Sequence, residues 1–277
     1  MNFTSIKPIE EGASNMKIVQ YNILDGCRIE ERYAMLFEWL EQQEFDIAGF
    51  NEMNDWTEEE FKREMEKLGM PHTYLHLMKS SPYSIGIASK FPVKKVYATD
   101  APPFHHGLLH VKIQQIHFLV THLSPFESTI REKETAELAR YIQSIQEPLM
   151  LMGDLNTLSP LDQEYYRKNH TKDRMVQRSF SKRQHIVDGE INFLPMQILL
   201  DAGLHDIGNG ESLDYSLPTK IKGELQEPIY VRIDYMLVNQ AMLQLTPQSM
   251  IVRDESVNTI SDHYPVLGHF QEKSHKE

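Results

Sequence analysis

Residues 149–156 read LMLMGDLN, four large apolar side chains followed by Gly153, Asp154, Leu155 and Asn156. A short apolar run closed by a glycine reads as a strand buried on both faces, because a helix shows a longer run with a 3.6-residue period. The strand delivers two polar side chains, Asp154 and Asn156, at its end. The same pattern recurs outward along the chain. Lys17–Leu24 (KIVQYNIL) reads as a strand holding Asn22, and Phe45–Phe50 as a buried strand ending in Asn51-Glu52. Further strands are expected at Ser84–Ser89, Val93–Tyr97, Leu108–Ile113, Ile116–Thr121, Val231–Val238 and Tyr264–Phe270.

Helical patterns alternate with these strands. Arg28–Gln43 places Ile29, Tyr33, Phe37 and Leu40 on one stripe. Thr57 with Glu60 makes a capping box ahead of Phe61, Met65 and Leu68, and Gly69 can close that helix. A third helix, about Thr129–Ser144, turns Leu138, Tyr141 and Ile145 inward. Strands with helices on their outer faces predict an α/β sandwich. The stretch Ser159–Glu190 breaks the rhythm, being polar, without a clean period, and carrying seven bases from Arg167 to Arg183. It is expected to be a functional or solvated loop.

Composition bounds the rest. The 277 residues contain 40 Asp and Glu against 28 Lys and Arg, a net charge of −12. A protein that coats duplex DNA relies on a basic surface and counterion release, so extended duplex DNA is disfavoured as a partner, while nucleic acid ends are not excluded. Ten acids and three bases fall within Glu41–Met70, so the charge is unevenly spread. Cys27 is the one cysteine, which excludes an internal disulfide or thiolate metal cluster and fits a reducing compartment. No run reaches the ~18 apolar residues of a membrane span, and the opening residues lack a signal-peptide core. A cytoplasmic monomer is expected.

The chemistry lies in polar residues set within or at the ends of apolar strands: Asn22, Glu52, His122, Asp154, Asn156, Asp234, Asp262 and His263. Buried carboxylates are costly unless they bind a cation, pair with a base or accept several hydrogen bonds. One alone would be an ordinary cap or turn residue, but eight that can converge on one rim describe a site. Glu52, Asp154 and Asp262 supply hard oxygen ligands suited to Mg²⁺ or Mn²⁺. With Asp262 beside it and Asp234 elsewhere, His263 has a ring nitrogen that a carboxylate can hold, so the imidazole could deprotonate water, and His122 could donate to a phosphate oxygen. Asn22 and Asn156 are neutral groups suited to lie against an anion. The implied reaction is in-line attack of water on a metal-bound phosphoester.

In chain order, VQYNIL (19–24), AGFNEM (48–53), SIGIASKFPV (84–93), THL (121–123), GDLN (153–156), RIDYMLV (232–238) and SDHYPV (261–266) resemble the endonuclease/exonuclease/phosphatase superfamily, which includes DNase I, AP endonucleases, sphingomyelinases, inositol polyphosphate phosphatases and deadenylases. The match spans about residues 16–270. The resemblance implies an α/β (α+β) fold, a four-layer sandwich with two packed mixed β-sheets and outer helices. It implies one domain over 16–277, with a basic loop insertion at about 159–190 and an N-terminal extension at 1–15.

Carried over by position, Glu52 resembles the principal metal-binding glutamate. Asp154 and Asn156 match the GDxN pair, the aspartate acting near the attacking water and the asparagine on phosphate or metal. Asp234 resembles the aspartate that orients the catalytic histidine, His263, and Asp262 the aspartate beside the metal. Asn22 matches the first-strand asparagine, and His122 the histidine of the DNase I, sphingomyelinase and phosphatase branches. Members differ over whether the GDxN aspartate or the final histidine acts as base. Two positions depart from the pattern. Leu24 stands where AP endonucleases carry an acid, which with His122 counts against that branch. Asn51 replaces the glutamine usual before the metal glutamate. The implied function is a Mg²⁺- or Mn²⁺-dependent phosphoester hydrolase of phosphodiesterase/nuclease or phosphatase type. The alternative is a catalytically inactive relative that keeps the fold as a binding or scaffold protein.

Weaker features are assigned plain roles. The His105-His106-Gly107 turn and His110 are read as surface groups that could instead line the rim. The insertion is either a phosphate clamp or a solvated segment. Cys27 is read as a packed thiol and the 14 methionines as core fillers.

Overall fold

Two parallel strand pairs, one in each of two sheets, organise the computed structural model, which describes residues 15–79, 81–208, 214–223 and 225–271. Apart from Asn15, the expected N-terminal extension lies outside the described residues. The first half of the chain contains β1 (Asn15–Asn22), α1 (Glu30–Gln43), β2 (Ile47–Asn51), α2 (Glu58–Lys67), β3 (His72–His76), β4 (Ile85–Ser89), β5 (Val93–Thr99), β6 (Leu108–Ile113), β7 (Ile116–His122) and α3 (Ser128–Ile142). The second half contains β8 (Leu149–Asp154), α4 (Gln163–Lys168), α5 (Thr171–Gln177), α6 (Ser179–His185), β9 (Ile186–Val187), β10 (Glu190–Ile191), α7 (Leu194–Asp201), β11 (Leu204–Asp206), β12 (Asp234–Asn239), β13 (Gln248–Ile251) and β14 (Val266–Gln271).

Both large sheets have six strands and are mixed. The first runs β13-β14-β1-β2-β4-β3 and the second β11-β12-β8-β7-β6-β5. Within the first, β1 and β2 are parallel, with Asn22 opposite Asn51. Within the second, β7 and β8 are parallel, with His122 opposite Asp154. Strand β12 runs antiparallel to β8 and sets Asp234 opposite Asp154. Asn22, Asn51, His122 and Asp154 therefore sit at matched carboxyl ends of central strands, with Asp234 at the amino end of antiparallel β12 beside them, where helices and loops leave room for a ligand.

The central strands are apolar on both faces because both faces are covered. Ile18, Val19, Ile47, Val120, Met152 and Met236 are among the side chains of the main core. Methionines interlock with glycines across the sheets. A Cβ on Gly49 would meet Met152 at 2.7 Å, and one on Gly268 would meet Met236 at 2.5 Å. Each large apolar side chain enclosed this way contributes about 2 kcal/mol. Trp39 and Leu40 of α1 and Phe61 and Met65 of α2 join the same core. Leu138 and Ile142 of α3 and Met196 and Leu199 of α7 form a second core with Leu119, Leu149 and Leu151. These layers make the expected four-layer sandwich.

Local signals hold where capping chemistry is explicit. Thr57 accepts a 3.1 Å hydrogen bond from the Glu60 amide, and α2 stops before Gly69, which has φ +73°. Cys27 is fully buried, and burial pushes its thiol up to about 11, so it is a packed, inert group. Several boundaries differ. Ile29 is not on the buried stripe; it lies just before the first turn of α1 and is 57% exposed. Strand β12 begins at Asp234 rather than Val231, because Val231 pairs instead with Leu217 as an isolated bridge. The Ser159–Glu190 segment is not a loop but three short helices leading to a hairpin, supported by a small core of Leu158, Tyr166, Met175, Ile229, Val231 and Ile233.

Candidate active site

Asp154 is the centre of the site. Gly153, before it, lets β8 press against β7, since a Cβ there would lie 1.9 Å from the Thr121 carbonyl oxygen. The Asp154 amide donates to Asn51 Oδ1 at 2.7 Å, and Gln20 Nε2 donates to the same oxygen at 2.7 Å. Asn51 also donates to the Thr121 carbonyl at 3.0 Å. The asparagine that departs from the family pattern thus ties the two sheets together under Asp154.

The Asp154 carboxylate collects donors. Asn22 Nδ2 lies 3.0 Å from Oδ2, and the Asn156 amide donates to Oδ1 at 2.9 Å. His122 Nε2 stands 3.4 Å and His263 Nε2 3.7 Å from Oδ2. Burial would push this carboxyl up, but His263 and His122 outweigh it and hold Asp154 down at about 2. His263 is held from behind by a 2.8 Å hydrogen bond between Nδ1 and Asp234 Oδ2. Burial would lower this imidazole, yet Asp234 and Asp154 raise it well above the usual range. For His122 too, Asp154 overcomes burial and raises it. The result is a buried carboxylate between two imidazoles, its own pKa held down and theirs raised.

The remaining predicted residues converge on the same place. Glu52 shares Asn22 with Asp154, its Oε1 lying 3.1 Å from Asn22 Nδ2, and its Oε2 accepts from the Asp25 amide at 3.1 Å. Asp262 Oδ1 is 4.0 Å from His263 Nε2. Asn156 donates to the Leu123 carbonyl at 3.0 Å. Glu52 and Asn156 hold positive φ of 57° and 48°, conformations that non-glycine residues adopt rarely and that concentrate at functional sites. Ser216 Oγ, which the sequence reading did not single out, accepts from the Asp234 amide at 3.2 Å and so fixes the partner of His263.

Asp154, Asp234 and His263 bring their ligand atoms within 4.8 Å of one another. Asp234 Oδ2 and Nδ1 of His263 are already committed to each other in a buried hydrogen bond, which leaves that trio poorly suited to a cation. Glu52, Asp154 and Asp262 fit a hard divalent ion better, being oxygen donors that all open into one cavity.

That cavity has a volume of about 520 Å³ and is lined by Glu52, His122, Asp154, Asn156, Asp262 and His263 together with residues outside the expected set. His105 and His106 line it, so their turn is not a surface feature; His106 is 2% exposed. His106 packs against His122 in a tilted ring pair with centroids 4.5 Å apart, and its Nδ1 shares a 2.8 Å hydrogen bond with Ser81 Oγ. Burial, then His122, pushes it down to about 2. From the insertion, His185 also lines the cavity, and burial and Arg131 push it down to about 3. Helix α3 secures this rim. Glu134 accepts from the His105 and Ser124 amides at 2.8 and 2.9 Å, and Arg131 donates to the Ser124 and Phe126 carbonyls at 2.8 Å each.

Two other expectations resolve differently. His110 is buried far from the rim, bonded to Tyr141 Oη at 2.8 Å and to His117 Nδ1 at 2.7 Å. None of the insertion's seven bases lines the cavity. Arg167 pairs with Glu164, Lys172 with Glu190, and Arg178 with the Glu227 carbonyl. No helix among the described residues is long and apolar enough to cross a membrane.

Known proteins agree with this architecture. Solved structures with the same fold include an AP endonuclease from Archaeoglobus fulgidus, with TM-score 0.71, 17% identity and coverage of 92% of this chain and 99% of that one. The 3′-5′ exonuclease NExo from Neisseria meningitidis gives TM-score 0.67 at 18% identity, covering 92% and 100%. A Neisseria 3′ phosphatase NExo bound to product DNA hairpin gives 0.67 at 17%, covering 92% and 99%. At these identities the likeness is one of fold. No curated protein sequence matches. The model of the Endonuclease/Exonuclease/phosphatase family matches residues 19–263, so the chain belongs to that family.

Proposed function

We propose that the protein is a divalent-metal-dependent phosphoester hydrolase and that the rim around Asp154 is its catalytic site. The carrying observation is the buried Asp154 between His122 and His263, beside Glu52 and Asp262 in one cavity. Glu52, Asp154 and Asp262 would hold Mg²⁺ or Mn²⁺. When bound, the ion polarises the phosphoryl group and offsets its charge.

The protein's own groups divide the remaining work. Asp154 orients the attacking water and takes its proton as the new phosphorus–oxygen bond forms, while the bond from phosphorus to the departing ester oxygen breaks and the released alkoxide is protonated from solvent. His263, cationic because Asp234 backs it, donates through Nε2 to a phosphoryl oxygen as negative charge develops. His122 supplies a second cationic donor, and Asn22 and Asn156 place neutral amides against the same anion. Asn51 and Ser216 keep Asp154 and Asp234 in place. The sequence left Asp154 and His263 equal as base; their opposite charge states favour Asp154 for the water and His263 for the phosphate.

The test is a panel of bis-p-nitrophenyl phosphate, p-nitrophenyl phosphate, DNA and RNA, assayed after chelation and after adding back Mg²⁺ or Mn²⁺. Hydrolysis that vanishes with chelator, returns with metal and is lost in Glu52→Ala is expected. Equal hydrolysis without metal, or full activity in Glu52→Ala, would overturn the assignment.

A further inference from the structure

The cavity has two unlike walls. One is the polar rim already described. The other is apolar, formed by Met175 of the insertion and by Leu217, Ile229, Val231 and Ile233 from the segment that leads into β12, with Phe126 at the edge. This wall is continuous with the rim. Ile233 immediately precedes Asp234, and the Ile233 and Asp234 amides donate to the same Ser216 oxygen at 3.0 and 3.2 Å. It is also rigid, because Met175, Ile229, Val231 and Ile233 belong to the small core that supports the insertion. Leu217 and Val231 are locked together as a β-bridge.

The charges are just as informative. The cavity is lined by three carboxylates, Glu52, Asp154 and Asp262, and by no lysine or arginine. His106 and His185 are neutral at physiological pH, being pushed down by burial. His122 and His263 are taken up by the reacting phosphate, so a second phosphate on the substrate would find no lysine or arginine to receive it, whereas an apolar group would displace water from the wall.

We infer that the apolar wall is a specificity subsite, and that the preferred substrate is a phosphoester whose organic group is uncharged and largely apolar. This rests on the hydrolase reading of the same cavity. A polyphosphorylated or otherwise anionic organic group is disfavoured there, and so is a polar nucleoside relative to an alkyl group of similar size.

The experiment uses p-nitrophenyl phosphodiesters with one reporter group, one net charge at phosphorus and a varied second ester: methyl, butyl, hexyl, carboxypentyl and thymidine. With Mg²⁺ present, kcat/KM is expected to rise by about tenfold or more from methyl to hexyl, as buried methylenes contribute to transition-state binding. The carboxypentyl and thymidine esters should fall below hexyl. Phe126→Ala and Leu217→Ser, both at partly exposed positions, should bring the hexyl-to-methyl ratio down towards one. A flat methyl-to-hexyl series, or a preference for the carboxypentyl or thymidine ester, would overturn the inference. Binding of non-hydrolysed hexyl and methyl methylphosphonate, measured by calorimetry, separates the two readings. Tighter hexyl binding without turnover of any ester would refute the hydrolase and keep the subsite, whereas turnover with equal binding and equal kcat/KM would do the reverse.

Discussion

Two buried histidine groups in this protein carry opposite electrostatics. At the rim, His263 meets Asp234 at 2.8 Å and Asp154 at 3.7 Å and is raised well above the ordinary imidazole range. On the outer side of the second sheet, His110 meets Tyr141 and His117, neither of them anionic, and burial followed by His117 pushes it down to about 4. Both side chains are withdrawn from solvent, with 5% and 2% exposure. Burial alone therefore does not mark a functional histidine. A carboxylate against the buried ring does, because it reverses the sign of the shift.

The largest effect expected from this contrast concerns activity. His263→Ala should reduce kcat by about a thousandfold, the usual scale for a lost charged catalytic donor, while His110→Gln changes it by less than about threefold. Initial rates on a single phosphodiester decide this, and similar losses in both variants would erase the distinction. Asp234→Asn should next lower the His263 pKa, since it removes the nearest negative charge. The cationic form would then be lost at lower pH, and the alkaline limb of the kcat/KM profile would move down by about one unit or more. An unmoved limb would dissociate Asp234 from His263.

The buried histidines whose pKa values are pushed down predict stability instead. His110, His106 and His185 have folded pKa values near 4, 2 and 3, below the unfolded value of about 6.5. Between those limits the unfolded chain binds protons at these three sites that the native protein does not, so the stability they contribute is full above about pH 6.5 and declines as pH falls towards 4. Urea midpoints at pH 7 and 5 should show the decline, and His110→Gln should make it shallower. The smallest effect is Tyr141→Phe, which removes one partner of His110 and should cost about 1 kcal/mol in urea unfolding without changing kcat.

Sequence and structure agree best where a local rule has no competitor. LMLMGDLN could be read because four apolar residues leave β8 no exposed face, and the polar residues at strand ends could be gathered because no folding reason placed eight of them there. The Thr57 cap was legible for the same reason. Edge strand β5 could be read, but other edges could not: β3, HTYLH, alternates weakly because it is mostly half-buried, and β13 is largely exposed. The helices of the insertion are six or seven residues long, too short to display a period. His105 and His106 looked like a surface turn because the residues that enclose them, Glu134 of α3 and Tyr83, lie far away in sequence. The insertion's bases drew attention to phosphate, whereas its contribution to the cavity is Met175, Gln184 and His185.

The opposed charges around Asp154 can be tested by Asp154→Asn, which preserves size and removes the anion between the two imidazoles. With saturating Mg²⁺ and bis-p-nitrophenyl phosphate, the expected result is a loss of about a thousandfold in kcat with a folded protein by circular dichroism. Retention of a tenth or more of the wild-type kcat (about 1.4 kcal/mol in barrier or less) would contradict the assignment of this rim as the catalytic site.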